Sequence, residues 1–177
     1  TPSEGPAHMP AVVDYKNGKF LIVGDSQNLQ NYREVTNGFS IVGRLSEKSH
    51  ARKATRMADG DVLITGGWLS GKTLAVYNPT TKQVLLEWDG LQVSRVGHTS
   101  TLLDDGRVLL TGGWEGGQSF IGTNATHTAE IFDPKKNETK PVGNLHVPRA
   151  WHTATKLANG QVLIVGGFAW NSGIASA

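Results

Sequence analysis

The stretch Asp105-Gly106-Arg107-Val108-Leu109-Leu110-Thr111-Gly112-Gly113 decides the fold, because it is one of four copies of a single phrase. The others are Asn17-Gly18-Lys19-Phe20-Leu21-Ile22-Val23-Gly24-Asp25, Asp59-Gly60-Asp61-Val62-Leu63-Ile64-Thr65-Gly66-Gly67 and Asn159-Gly160-Gln161-Val162-Leu163-Ile164-Val165-Gly166-Gly167. In every copy the turn glycine and the later glycine lie six residues apart, while successive copies are separated by 42 to 54 residues. A spacing held inside the unit and relaxed between units marks a structural repeat.

Asn-Gly and Asp-Gly between apolar runs predict a two-residue type I′ hairpin in each unit, since both central residues then need positive φ. The strand before each turn is read as Ala11-Val12-Val13, Ala54-Thr55-Arg56-Met57, His98 to Leu103 and His152 to Leu157. Its small and threonine side chains suit an innermost strand crowded near a common axis. The strand after each turn is apolar on both faces and is therefore expected to be buried on both. It ends in Gly-Gly, where a missing Cβ lets the backbone bend or lie close to a neighbour. A third strand follows, Leu74 to Tyr77 or Ala129 to Phe132, closed by Asn78-Pro79 or Asp133-Pro134, which break the ladder. A fourth is read at Gln83 to Trp88 and at Glu138 to Val142. Four antiparallel strands per unit of this period predict propeller blades in preference to a sandwich, which does not explain a fourfold internal copy.

The phrase from Gly97 to Gly113, followed by Ala129-Glu130-Ile131-Phe132-Asp133-Pro134, resembles a kelch repeat of the kind found in galactose-oxidase-like propellers. The resemblance covers essentially the whole chain. It implies an all-β, kelch-type β-propeller segment of about three and a half four-stranded blades. The blades run from about residue 8 to 49, 50 to 96 and 97 to 150, with a half blade at 151 to 177, in a single domain. The first copy departs from the pattern with Gly24-Asp25 in place of Gly-Gly, and the third lacks the late tryptophan that Trp88 supplies in the second. Such an arc is expected to be a piece of a longer propeller, to close a ring with other copies in trans, or to form a small four-blade ring. Open sheet edges call for a partner in the first two cases.

Composition narrows the function. A net charge of +2 with 18% charged residues gives no sign of nucleic acid as a partner, and no apolar run reaches the length of a membrane span. The compartment is left open by the absence of cysteine, with a lean towards an extracellular or particle surface; Asn124-Ala125-Thr126 and Asn137-Glu138-Thr139 fit the glycosylation sequon. Galactose-oxidase-like enzymes hold copper through two tyrosines, two histidines and a cysteine cross-linked to one tyrosine, so a chain without cysteine is expected to carry no such cofactor and no metal site. His98 and His152 recur at equivalent positions, which points to scaffold, and Asp59, Asp104, Asp105 and Asp133 belong to turns. No catalytic residue is assigned, and the chain is expected not to be an enzyme.

Binding is expected on one face. The loop entering the first strand and the loop leaving the second lie at the same end of a blade, so Arg95, Arg149 and Trp151 gather with Trp68, Trp114, Phe168 and Trp170. Aromatics beside arginines have the composition of an interface core. The loop after Trp114 is longer than its counterpart after Trp68, which makes Trp114, Phe120 and Ile121 the first expected contacts. The expected function is a non-catalytic binding or assembly module, its partner a protein or further blades of the same propeller. The alternatives are a carbohydrate-binding or carbohydrate-oxidising propeller fragment, or a structural component of a larger extracellular or viral assembly.

Overall fold

The computed structural model describes residues 10–16, 18–24, 26–69, 71–115, 125–169 and 172–173. Three antiparallel sheets follow one another along the chain, each a four-stranded meander in which consecutive strands pair. The first contains β1 (Ala11–Lys16), β2 (Lys19–Val23), β3 (Asn28–Arg33) and β4 (Gly38–Arg44). The second contains β5 (Lys53–Arg56), β6 (Val62–Thr65), β7 (Thr73–Asn78) and β8 (Gln83–Asp89). The third contains β9 (Thr99–Leu102), β10 (Val108–Thr111), β11 (Ala129–Asp133) and β12 (Glu138–Val142). A hairpin, β13 (Thr153–Lys156) with β14 (Val162–Val165), begins the next unit, and a two-residue pair, β15 (Phe168–Ala169) with β16 (Ser172–Gly173), follows it. The fold is all-β, and among the described residues no helix is long and apolar enough to cross a membrane.

The turns differ from expectation in the later three copies. Arg56 pairs with Val62 and Leu102 with Val108, too far apart for a two-residue turn. Instead the Met57 N–H bonds Asp61 O (2.8 Å), the Gly60 N–H bonds Met57 O (3.1 Å), and only Gly60 has positive φ (93°). This is a three-residue loop with glycine in the left-handed position, and Asp59 Oδ1 accepts the Asp61 N–H (3.0 Å), which favours it over type I′. In the first copy Lys16 pairs with Lys19, the spacing of a two-residue loop.

The first strands of successive sheets lie side by side, β1 against β5, β5 against β9 and β9 against β13. Threonine suits this crowding: Thr55 Oγ1 shares a hydrogen bond with Ser100 Oγ (2.6 Å) from one sheet to the next. Apolar faces meet between the sheets. Leu21, Val23 and Leu29 of the first sheet pack with Val62, Ile64 and Tyr77 of the second, and Leu63, Leu74 and Val76 on its other face pack with Val108, Leu110 and Phe132 of the third. Strand β6 is buried at every position, as a strand sandwiched between two neighbours must be. The rungs are equivalent, since Ile64 faces Ala75, Leu110 faces Glu130 and Ile22 faces Gln30.

Candidate functional site: the glycine-pair face

Two of the glycine pairs, Gly66-Gly67 and Gly112-Gly113, are junctions between two units. Gly66 and Gly112 have φ of 65° and 59°, and a Cβ on Gly66 would collide with Arg95 O and the His98 ring. At Gly112 the same clash would fall on Arg149 O and His152. The following glycine donates to the same carbonyls, from Gly67 N to Arg95 O (3.0 Å) and from Gly113 N to Arg149 O (2.8 Å). Glycine is needed here because the entry segment of the next unit is laid directly on the backbone of the previous one.

The histidines close these junctions. His98 Nε2 shares a hydrogen bond with Thr65 Oγ1 (2.8 Å), and His152 Nε2 with Thr111 Oγ1 (3.0 Å) and Thr99 Oγ1 (3.1 Å). Burial, reinforced by the Arg95 and Lys53 charges, pushes the His98 pKa well below the usual range; burial, then Arg149 and Lys53, takes His152 down to about 4. Both rings are therefore neutral near pH 7. Among the described residues neither Nδ1 has a hydrogen-bond partner, so a proton there would be a buried orphan donor and the Nε2–H tautomer is favoured.

Arg95 carries the most extensive polar network. Its Nε (3.1 Å) and Nη2 (2.9 Å) donate to Glu130 Oε1, Nη1 to Gly112 O (2.7 Å) and Thr128 O (3.0 Å), and Nη2 also to Thr128 Oγ1 (2.8 Å). Five N–H groups thus meet acceptors in a guanidinium that is 0% exposed. Glu130 in turn accepts the backbone N–H groups of Gln92 (2.8 Å) and Val93 (3.2 Å). Arg149 repeats one of these contacts, from Nη1 to Gly166 O (3.0 Å). The first junction is built differently. The Trp68 N–H bonds His50 O just as the Trp114 N–H bonds Val96 O, which aligns Ser49 with Arg95 and Arg52 with His98. Ala75 occupies the rung of Glu130.

The expected contact residues therefore divide. Arg95, Arg149 and Trp114 are buried and present no surface to a partner, which corrects their expected place on the exposed face. Arginine beside a post-glycine aromatic has interface composition, whereas here it supplies internal cross-links. Trp114 bridges Val96 and Ala125, and its ring lies 5.9 Å from that of Phe168. Trp68 and Trp151 are half-buried around the cluster of Ala51, Val96, Trp114, Ala125 and Ala150, and Phe168 is 41% exposed. Leu69, not singled out from the sequence, is exposed beside Trp68. Phe120, Ile121 and Trp170 lie outside the described residues.

No family model matches the chain, and no curated protein matches it. Among solved structures it is similar to a novel fungal alcohol oxidase with catalytic diversity among the AA5 family, in complex with copper. The TM-score is 0.72 at 22% sequence identity, over 90% of this chain and 36% of that chain. The likeness is one of fold. It supports a galactose-oxidase-like, β-rich architecture, and this chain spans about a third of that protein's length. It also corrects the expectation that the chain is not an enzyme, because an oxidase stands among its structural relatives.

The residues present do not fit the copper of that relative. The chain has no cysteine, and among the described residues no three His, Asp or Glu side chains cluster to hold a metal ion. His98 and His152 hold threonine hydroxyls through Nε2 and turn Nδ1 towards Gly66 and Gly112, inside the junctions.

Proposed function

We propose that this chain is a kelch-type propeller segment of an oxidase-like protein acting on alcohols or carbohydrates. It supplies the rigid scaffold and the aromatic rim of the glycine-pair face. The fold likeness to an alcohol oxidase carries the reading, and the junction network supports it, because a substrate rim needs loops held by a fixed frame. Phe168, Trp68 and Trp151 are the rim residues, with apolar faces suited to the C–H surfaces of a sugar or alcohol. The unit boundaries near residues 8, 50, 97 and 151, in one domain, belong to this proposal.

A second reading, contact with further blades of the same kind, is favoured by two apolar faces. Phe39 and Ile41 are exposed on the first sheet, and Leu163 and Val165 on β14, whereas the residues at the β14 rungs of the second sheet, Leu63 and Thr65, are fully buried. Tryptophan fluorescence titrated with galactose and with a primary alcohol tests the first reading. The expected result is a saturable change lost in Phe168→Ala and Trp151→Ala; no change in the unaltered chain would overturn it. Light scattering tests the second, for which a strict monomer at all concentrations excludes closure by other copies.

A further inference from the structure

The outer hairpins of the three sheets share one backbone feature. The residue just before the fourth strand is left-handed in each, Asn37 (φ 45°), Lys82 (φ 59°) and Asn137 (φ 51°). Lys82 shows that this conformation does not itself demand asparagine. Register aligns the residue two positions on, because Phe39 pairs with Tyr32, Val84 with Tyr77 and Thr139 with Phe132, and those three partners stand opposite Phe20, Val62 and Val108. Of the three sheets, the third alone therefore combines an asparagine with a hydroxyl two residues later, as Asn137-Glu138-Thr139.

Asn137 stands on the surface in the turn between β11 and β12, with Lys135 and Lys136 exposed beside it. The turn is fastened without its side chain: the Lys136 N–H bonds Asp133 O (3.2 Å) and the Lys135 N–H bonds Asp133 Oδ1 (2.9 Å). The turn asparagines of the other two sheets are engaged, Asn37 Oδ1 by the Tyr32 hydroxyl (3.0 Å) and Asn78 Oδ1 by the Thr80 and Thr81 N–H groups (2.9 and 2.8 Å). Among the described residues the Asn137 carboxamide makes no hydrogen bond. Thr139 is buried and donates to Gly90 O, and Glu138 pairs with Lys140 (3.0 Å), so the residues after Asn137 are held while its own side chain is left free.

We propose that Asn137 is a glycosylation acceptor, carrying an N-linked oligosaccharide on Nδ2. Asn-x-Ser/Thr is the sequence such a transfer reads, and the bulky product needs a surface position in the folded chain. The donor is an oligosaccharide carried on a lipid diphosphate. A bond from Nδ2 to the sugar C1 forms as the C1–O bond to the diphosphate breaks; the lipid diphosphate leaves with the electron pair, and Nδ2 gives up one proton. The glycan stands at the end of the third sheet opposite the glycine pairs, since β11 runs from Ala129, beside Thr111, to Asp133, which pairs with Glu138. There it borders β12, the outer edge strand, whose Lys140, Pro141 and Val142 are exposed, and it shields an unpaired edge while leaving the glycine-pair face clear. The modification places the chain in a eukaryotic secretory pathway, and it stands or falls separately from the proposed function.

Expression of the full chain behind a secretion signal in a eukaryotic host tests the proposal, with Asn124→Gln in the background so that Asn137-Glu138-Thr139 is the one sequon left. Peptide-N-glycosidase in heavy-oxygen water converts a glycosylated asparagine to labelled aspartate, and mass spectrometry of the peptide containing Asn137 reads its occupancy. Scoring cell-retained and secreted chain together keeps a variant that folds poorly in the count. Most chains should be occupied at Asn137. Occupancy should be lost in Asn137→Gln and in Thr139→Val, which copies Val84 of the second sheet, and kept in Thr139→Ser. An unmodified Asn137 overturns the proposal, as does an N-linked glycan that persists in Asn137→Gln or in Thr139→Val.

Discussion

The junction between the first and second sheets and the junction between the second and third share a backbone but not a chemistry. Both place a left-handed residue in the entry segment, Ala51 (φ 54°) in one and Gly97 (φ 65°) in the other, but only the second lays that segment on a glycine of the preceding unit, Gly66; at Gly24 nothing lies within 4 Å of a Cβ among the described residues. The second junction then buries Arg95 with Glu130 and seats His98 on Thr65, while the first has Ser49, Ala75 and Arg52 at the same positions. Between these two junctions the charged pair is present or absent as a unit. A guanidinium removed from water loses much when its carboxylate is taken away, so Arg95 is expected to depend on Glu130. At the second junction Gly66 makes the joint, and the ion pair is an added clamp.

The largest expected effect comes from separating the members of that clamp. Glu130→Ala leaves Arg95 buried without its counter-charge and strips acceptors from the Gln92 and Val93 N–H groups, so urea unfolding should show a loss of about 3–5 kcal/mol. Arg95→Ser with Glu130→Ala copies the first junction and should recover much of that loss. A double variant no more stable than the single would show that Ser49 and Ala75 depend on their surroundings and are not a true alternative.

Next in size is Gly112→Ala, which meets both a left-handed φ and the Arg149 carbonyl. A cost of about 2 kcal/mol or more is expected, because the entry segment must move before the methyl fits. Gly66→Ala should behave alike despite the different chemistry on its own side, since its clash is with Arg95 O and His98. Unequal costs would mean that the clamp, not the glycine, sets the fit.

Acid should distinguish the histidine junctions from the first one. The unfolded chain takes up a proton on histidine near pH 6.5, whereas folded His98 resists it because of burial and the nearby Arg95, Lys53 and His152. Below pH 6.5 the unfolded state therefore binds more protons, and stability falls as the pH falls, by about 1.4 kcal/mol per pH unit for one fully resisting histidine. The contribution of His152 levels off near its folded value of about 4. His98→Gln should flatten the slope of stability between pH 6.5 and 4.5; an unchanged slope would assign the acid sensitivity elsewhere.

The repeat made the meander sheets and the scaffold role of His98 and His152 legible, because spacing and recurrence are properties of a single chain. Burial is not, and the burial of Arg95 therefore leaves no mark in its own segment. Its neighbours Val96 and Gly97 look like a loop, and only the fold sets them under the next sheet. A usable signal was nevertheless present in Glu130, a carboxylate inside an apolar third strand at a rung where another copy has Ala75, paired with Arg95 where that copy has Ser49.

The smallest effect belongs to Gly24, the glycine of the one copy that lacks a pair. Its φ is not left-handed, and among the described residues nothing lies within 4 Å of where a Cβ would stand. Gly24→Ala should then change stability by no more than about 0.5 kcal/mol, with a slight gain from restricting the unfolded chain. Set beside Gly112→Ala, it separates what glycine does for a strand end from what it does for a joint. A loss as large as that of Gly112→Ala would mean that Gly24 also carries an entry segment on its backbone, and that the first copy is a junction like the others despite Asp25.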